Sequence, residues 1–426
     1  MISSIEISNF KSFEKASLVL NQVTFLVGLN GSGKTNLLEL LRFENWLAKG
    51  GRLDDMSGIL GSESRKIRAR LPLELVRRGT SSFAAKFMIK NGRSFALAQE
   101  FNAAQDVRTE ATRLILGAES LQDCEVGQYV YRCIGARDRL TSDDLLIEGG
   151  ASLRRTQALY YQLNSPSQLG TQNSAEQAIA ATRYVQGVMA KIYFLTPDFA
   201  KLAAYVPKSR GEVLDEDGTN LSAVAFRLNA DPELRDEFFS LVRALPEREF
   251  NGIGFSEAPL LDEVMLVVRE TSDLPMPLQL LSDGTKRVLM IAASLLTVPT
   301  GSLLVFEEID TGIHPSRVAH LVKQIYRIAR ARQIQVLITS HNTDLLNSVP
   351  QDEIANIVVC HRDPLSGTSR LTRFGEMPEY GSLVMRSKFG SLMTSEAIEK
   401  SLRNPTTEAD RHRRFEALKK FLQEES

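Results

Sequence analysis

The stretch GLNGSGKTN at residues 28–36 constrains the fold of this chain more than any other. It follows the apolar run VTFLV and precedes the helix-like segment KTNLLELLRFENWLA. The spacing Gly28-x-x-x-x-Gly33-Lys34-Thr35 is that of a Walker A loop, whose glycines allow backbone N–H groups to surround phosphates. Lys34 is predicted to reach the β- and γ-phosphates of a nucleotide, and the Thr35 hydroxyl to hold Mg²⁺. A fortuitous glycine-rich turn is the alternative, and the flanking strand and helix argue against it.

Two further apolar runs have the form of strands buried on both faces of a parallel sheet: SLLVFEE (302–308) and IQVLITSH (334–341). The first ends in Glu307 and Glu308, and the second ends in Ser340 and His341. In open α/β sheets, ligands bind outside the carboxyl ends of the strands. We therefore expect these side chains to share one edge of the sheet with the glycine loop.

Each of these polar ends suggests a role. Glu307 is predicted to support the metal together with Thr35, and Glu308 to act as the general base that activates water. His341 could hydrogen-bond a γ-phosphate and sense its loss. The alternatives are two exposed carboxylates at a strand end and a structural histidine.

The segment LSDGTKR at residues 281–287 precedes the apolar helix RVLMIAASLL. Ser282, Asp283 and Gly284 at the N-terminus of a helix predict a turn that binds an anion. A plain helix cap without any ligand is the alternative.

Composition excludes several other classes. The 426 residues carry a formal net charge of −1, so no overall basic field requires nucleic acid. Cys124, Cys133 and Cys360 are too few and too scattered for a disulfide framework or a zinc site, which favours a reduced, cytoplasmic setting. The N-terminus does not resemble a signal peptide. Pro299 and Gly301 interrupt the most apolar stretch, so we expect no membrane span.

The rest of the chain gives a coarse organisation. SIEISNFKSF predicts a half-buried strand, and FAAKFMI and RSFALAQEF predict antiparallel strands. The middle is predicted to be mostly helical, with Asp231 capping the helix DPELRDEFFSLVRALP and a charged helix ending the chain. The predicted divisions are an N-terminal lobe at 1–100, a mostly helical insertion at 101–260, a C-terminal lobe at 261–365 and a helical tail at 366–426.

In this order, the segments NFKSF, GLNGSGKTN, LSDGTKR, VFEEIDTGIHP and ITSHN resemble the ATPase heads of the SMC and RecF group of ABC-type ATPases. They are most similar to stand-alone ATPases near the OLD family, many of them from bacterial anti-phage systems. The resemblance implies an α/β P-loop NTPase fold, with a mixed central sheet flanked by helices and a mostly helical insertion. It also implies ATP and Mg²⁺ as cofactors, with the nucleotide bound by Asn30, Gly31, Ser32, Gly33, Lys34, Thr35, Asn36, Ser282, Asp283 and Gly284.

The resemblance also implies an assembly. LSDGTKR resembles the ABC signature, His341 the switch histidine, and Asp310 and Gly312 the D-loop. In such ATPases the signature of one protomer covers ATP held by the Walker A loop of the other. A head-to-tail homodimer, or a higher even oligomer, is therefore expected, with a separate effector chain such as an HNH or TOPRIM nuclease.

Some features depart from the pattern or leave alternatives open. Glu307 stands where the family has aspartate, Ile309 replaces the usual proline, and Gln99 is one weak option for a Q-loop glutamine. The alternatives in function are a RecF-like repair ATPase that binds DNA and a scaffold locked by nucleotide. Lys11 could lie near the nucleotide or on the surface. The basic run SRKIRAR (64–70) could contact DNA, although a solvated face is favoured.

Overall fold

The structure, a computed structural model, describes most of the chain. The described residues are 1–56, 59–60, 67–69, 71–105, 112–135, 140–144, 154–164, 173–202, 204–243, 250–270, 275–377, 379–394 and 397–403. The charged helix predicted near the end of the chain and most of the basic run at 64–70 lie outside these ranges.

One sheet of thirteen strands organises the molecule. In chain order its strands are β1 (Ile2–Phe10), β2 (Phe13–Val19), β3 (Val23–Val27), β4 (Ser82–Asn91), β5 (Arg93–Gln105), β6 (Thr112–Asp123), β7 (Gln128–Gly135), β8 (Leu140–Asp144), β9 (Ile192–Leu195), β14 (Leu303–Glu307), β15 (Gln335–Thr339), β16 (Val358–Arg362) and β17 (Ser369–Arg373). Their spatial order is β8-β7-β6-β5-β4-β1-β2-β17-β16-β3-β15-β14-β9. A smaller sheet contains β10 (Val206–Pro207), β11 (Phe250–Ala258), β12 (Glu263–Glu270) and β13 (Pro275–Pro277).

The parallel part of the large sheet contains the apolar runs singled out from the sequence. β3 pairs in parallel with β15 and β16, and β14 pairs in parallel with β15 and β9. All five residues of β3 and of β15 are buried. The prediction of strands covered on both faces is therefore confirmed, because apolar side chains on both faces of a strand need packing partners on both sides.

Helices pack on both faces of this sheet, against the smaller sheet and against one another. They are α1 (Lys34–Ala48), α2 (Leu159–Gln162), α3 (Asn173–Ala190), α4 (Leu221–Ala230), α5 (Pro232–Arg243), α6 (Asp283–Thr297), α7 (Pro315–Arg332), α8 (Thr343–Asn347), α9 (Tyr380–Arg386), α10 (Phe389–Thr394) and α11 (Ala397–Arg403). Neighbouring residues of one strand belong to different cores: Leu337 packs in the core that contains α1, and Ile338 in the core that contains α6 and α7. The sheet therefore separates the helix that follows the glycine loop from the helix that follows LSDG.

The helix after the glycine loop is buried almost all round. Leu37, Leu38 and Leu41 are buried as predicted, while Trp46 is partly exposed. Burial also includes Glu39, Arg42 and Glu44, which are charged residues that a one-sided helix would leave in water. These side chains therefore need specific partners or a neutral form.

The expectation of a mostly helical middle is wrong for its first part. β5 extends to Gln105, and β6, β7 and β8 follow as an antiparallel series that widens the large sheet. Segments such as RLILGAESL and QYVYRCI contain several β-forming residues, and each of these strands pairs antiparallel with the strand before it. Helices dominate the middle only from α3 to α5. The predicted helix capped by Asp231 is confirmed as α5, and Asp231 accepts from the N–H groups of Glu233 and Leu234.

The predicted division into four parts stays a prediction. The large sheet draws strands from all four of those ranges, and β17 places a strand at the start of the segment predicted to be a helical tail. The apolar stretch that Pro299 and Gly301 interrupt forms the end of α6, a turn and β14. Among the helices that the structure describes, none combines the length and apolar character needed to cross a bilayer.

Candidate nucleotide-binding site

A pocket of about 620 Å³ lies at the carboxyl ends of β3, β14 and β15. The predicted site residues that line it are Asn30, Gly31, Gly33, Lys34, Thr35, Asn36, Glu307, Glu308 and His341. The expectation that three strand ends bring these groups to one edge is confirmed. Ser32, Ser282, Asp283 and Gly284 do not line the pocket.

The glycine loop has the tight backbone that its sequence predicts. At Gly28 a Cβ atom would lie 2.1 Å from the carbonyl oxygen of Cys360, and at Gly33 it would lie 2.4 Å from Ser369 Oγ. Both glycines also have positive φ, 149° and 121°. Only glycine fits these positions, because residues of β16 and β17 pack directly against the loop backbone and leave no space for a Cβ atom.

Lys34 lies over the loop that it follows. Its ammonium donates to the carbonyl oxygens of Gly28 at 2.6 Å and Leu29 at 3.0 Å. Burial lowers the pKa of Lys34, while Cys360 and Glu308 act in the opposite direction. A partly desolvated ammonium in a polar pocket gains by contacting an anion, as a phosphate would provide.

The donor set fits a nucleotide phosphate and its cation. The Ser32 hydroxyl, in the glycine loop but outside the pocket lining, is buried and has no hydrogen-bond partner among the described residues. Thr35 at the start of α1 and Glu307 at the end of β14 face the same pocket and supply oxygen ligands of the kind that Mg²⁺ prefers. No group of three or more His, Cys, Asp or Glu side chains in the described ranges is arranged to hold a metal by itself. The metal would therefore need phosphate oxygens or water to complete its shell.

Glu308 and His341 face each other across the pocket. Glu308 Oε1 lies 3.8 Å from His341 Nδ1, and both side chains are more than half exposed. Glu308 has a left-handed backbone with φ of 48°, which its N–H bonds to Thr339 help to hold. The strand direction thus breaks at Glu308, and its carboxylate lies at the exposed edge of the pocket beside His341.

The LSDG turn lies at the start of α6, away from the pocket walls. Ser282 caps this helix by accepting from the N–H of Thr285 at 3.2 Å. A Cβ at Gly284 would lie 2.2 Å from the carbonyl oxygen of Gly312, so this turn packs against the segment after Glu308. Arg287, further along α6, does line the pocket and donates to the carbonyl oxygen of Glu308 at 3.3 Å.

Sequence reasoning left Lys11 undecided and missed its partner. Lys11 is largely buried, lines the pocket and donates to Glu39 of α1 and to the carbonyl oxygen of Arg68 at 3.3 Å. Arg68, within the basic run, also donates its N–H to Glu39 at 2.9 Å. The surface alternative for Lys11 is therefore wrong. The available signal was Glu39, which lies among the buried leucines of α1 and therefore needs a positively charged partner.

Gln99 belongs to a different part of the molecule. It is buried in β5 and donates to Glu119 at 2.9 Å, and it does not line the pocket. The option of Gln99 as a Q-loop residue is therefore wrong. Arg42 was also missed: it is buried in α1 and reaches Glu307 at 3.4 Å.

Two family models match the segments that build this pocket. One, described as "AAA domain, putative AbiEii toxin, Type IV TA system", matches residues 189–347, and another, described as "AAA ATPase domain", matches residues 1–95. The first range contains LSDGTKR, both glutamates and His341, and the second contains the glycine loop. The chain is thus similar to ATPases of the AAA type over two segments that meet at the pocket. The predicted α/β fold, with a mixed central sheet flanked by helices, is confirmed.

Several solved structures are similar to the chain at low sequence identity. The SmcHead bound to the C-winged helix domain of ScpA has a TM-score of 0.48 at 12% identity, covering 87% of this chain and 96% of that one. The SMC head domain from Thermotoga maritima has a TM-score of 0.40 at 15% identity, covering 87% and 98%. The Smc head domain with an extended coiled coil bound to the C-terminal domain of ScpA, derived from Pyrococcus furiosus, has a TM-score of 0.46 at 11% identity, covering 90% and 99%.

Proposed function

We propose that this ATPase head binds ATP with Mg²⁺, hydrolyses it, and couples that cycle to the pairing of two copies of the chain. The observation that carries the proposal is the pocket itself. It gathers a lysine, a hydroxyl, two carboxylates and a histidine from three neighbouring strand ends. Phosphoryl transfer to water needs this combination of positioning, charge neutralisation and a base.

Each side chain has a role in that reaction. Lys34 would leave the loop carbonyls to contact the β- and γ-phosphates, and Thr35 with Glu307 would hold the magnesium ion. The ion, when bound, neutralises charge that develops on the phosphates. Glu308 accepts a proton from the attacking water. His341, 3.8 Å from Glu308, contacts the γ-phosphate and responds to its release.

The pairing of two heads is supported by the place of the LSDG turn. Ser282 and Gly284 lie outside the pocket of their own chain, at the N-terminus of a helix of fifteen residues. A helix N-terminus favours an anion, so a second copy could offer this turn to ATP held by the first. ATP would then favour the closed pair, because it contacts both surfaces only when they meet.

We further propose that the pair controls a separate effector in the cytoplasm, a nuclease of the HNH or TOPRIM type in anti-phage defence. Support comes from the motif set and from the description of one matching family, which names a toxin of a type IV toxin–antitoxin system. Binding of DNA by the head, as in a repair ATPase, is the competing proposal, and DNA-stimulated hydrolysis by the isolated chain would favour it.

The decisive experiment compares the wild-type chain with Glu308→Gln. We expect this variant to bind ATP, to elute as a dimer in ATP and Mg²⁺, and to release phosphate at least 100-fold more slowly than the wild type. Glu376→Gln, on an exposed carboxylate outside the pocket, is the matched control and should behave as the wild type does. Normal turnover by Glu308→Gln would refute the base assignment. Bound ATP with negligible turnover in the wild type would instead select a scaffold locked by nucleotide.

A further inference from the structure

Arg42 connects the helix of the glycine loop to Glu307. It lies in α1, two turns after Thr35, and is only 8% exposed. Its guanidinium lies 3.4 Å from Glu307 Oε1, donates to Thr196 Oγ1 at 3.1 Å and forms an ion pair with Glu216. The Phe194 ring lies 4.0 Å below it. A planar guanidinium with this many partners has little freedom to turn.

We propose that Arg42 is a positioning residue that fixes the carboxylate of Glu307 on the metal side of the pocket. The inference rests on the proposed function, in which Glu307 and Thr35 hold Mg²⁺. It adds a physical reason for glutamate at this position, where the related ATPases have aspartate.

The reason is length. A glutamate places its carboxylate one methylene, about 1.5 Å, further from the backbone than an aspartate does. The extra bond also adds a rotatable torsion, so an unrestrained Glu307 would spread its oxygens over several positions. The contact with Arg42 removes that freedom. With aspartate at 307 the same oxygen would withdraw from the guanidinium by about 1.5 Å and lose the contact.

Arg42 is itself fixed from the opposite side. The N–H of Thr196 donates to the carbonyl oxygen of Glu216 at 2.8 Å, so the two loops that contact the guanidinium are joined to each other. Thr196 also lines the pocket. The two joined loops thus hold the guanidinium on one side, and Glu307 contacts it on the other. This arrangement suits a residue that orients a metal-binding carboxylate.

A merely structural role for Arg42 makes a different prediction from a positioning role. A structural role would lower stability and leave the demand for Mg²⁺ unchanged. A positioning role changes the Mg²⁺ concentration at which a fluorescent ATP analogue reaches half-maximal binding. It also makes the effects of Arg42 and Glu307 interdependent, since both act through one contact.

The experiment measures that half-maximal Mg²⁺ concentration in Arg42→Lys, Glu307→Asp and the double variant. Lysine keeps the charge but not the fork that can contact several acceptors. We expect about a 5- to 10-fold increase in each single variant and little further increase in the double variant. Arg52→Lys, at an exposed pair with Asp54 outside the pocket, is the matched control and should show no increase.

Two further measurements keep the outcomes distinct. Glu216→Gln removes a surface partner of Arg42 with little risk to folding, and we expect an increase of about 2- to 3-fold in the same direction. An unchanged Mg²⁺ requirement in both Arg42→Lys and Glu216→Gln, or single effects that multiply in the double variant, would overturn the inference. If the wild type does not bind the analogue, or Lys34→Ala binds it equally well, the proposed function itself fails.

Discussion

Ser340 donates a hydrogen bond to Asp310 over 2.7 Å, and both residues are more than nine-tenths buried. Ser340 Oγ also accepts from the N–H of Asn342 at 2.9 Å. One hydroxyl therefore joins the segment after Glu308 to the turn that carries His341. We therefore expect the distance between the proposed base and the proposed sensor of the γ-phosphate to depend on this buried contact.

Ser340→Ala tests this link. The substitution leaves a buried carboxylate without its donor, and we expect a loss of about 1–3 kcal/mol in the free energy of unfolding. Phosphate release should slow as well, because His341 and Glu308 lose a shared anchor. Ser348→Ala, which removes an exposed hydroxyl of similar bonding, should stay within about 0.5 kcal/mol of the wild type in chemical denaturation. Equal effects of the two substitutions would contradict the argument.

Lys11→Met removes one partner of a buried ion pair. The side chains of Lys11 and Glu39 are 10% and 3% exposed, so the substitution leaves Glu39 charged and shielded from water. We expect a loss of roughly 3 kcal/mol in unfolding free energy. Lys86→Met at the solvent-exposed pair with Glu6 should cost about 0.5 kcal/mol or less. Thermal or urea denaturation of both variants measures the difference, and a smaller loss in Lys11→Met than in Lys86→Met would refute the buried pair.

Gly33→Ala places a methyl group against Ser369. The new Cβ would lie 2.4 Å from Ser369 Oγ, on a backbone with φ of 121°. We expect the loop to shift and the affinity for ATP to fall at least 10-fold, measured by titration of a fluorescent analogue. Gly92→Ala also places alanine at a positive φ, 74°, but has no atom within 4 Å of the added Cβ. It should destabilise the turn after β4 by about 1 kcal/mol and leave ATP affinity unchanged.

Glu44→Gln tests the one glutamate of α1 that is fully buried with both carboxylate oxygens lacking a hydrogen-bond partner among the described residues. Burial, with a smaller contribution from nearby Glu119, raises the pKa of Glu44 well above its ordinary value. The folded chain thus keeps a proton that the unfolded chain releases above about pH 4.5. The protonated Glu44 therefore contributes its full share of the unfolding free energy at low pH, and this contribution is lost as the pH rises towards the folded-state pKa of Glu44.

The variant lacks this proton linkage. We expect the unfolding free energy of the wild type to fall with pH between 5 and 8 more steeply than that of Glu44→Gln, by up to about 1.4 kcal/mol per pH unit. Urea denaturation across this range measures both slopes. Glu100→Gln, on an exposed residue of β5, should retain the slope of the wild type. Parallel slopes for wild type and Glu44→Gln would mean that Glu44 is ionised when folded.

Local patterns were enough to predict the parallel strands and the shared edge. An apolar run with β-branched residues identifies a covered strand, and polar residues directly after it must lie at the end of that strand. For this reason Lys34, Glu308 and His341 could be assigned to one pocket from their positions in the sequence. The series from β6 to β8 was missed because polar residues within its segments, as in RLILGAESL, interrupt the alternation of apolar and polar positions that marks a strand, although β-forming residues are present.

The glycine loop, the order of the motifs and the edge of the sheet where they meet could all be predicted before folding was considered, because they depend on short segments and on the direction of parallel strands. Which buried polar groups pair is set by the packing of distant segments. Lys11 with Glu39, Arg42 with Glu307 and Ser340 with Asp310 are separated by 28, 265 and 30 positions. No local periodicity relates such residues; their contacts arise where packed elements cross, and burial there makes each partner necessary.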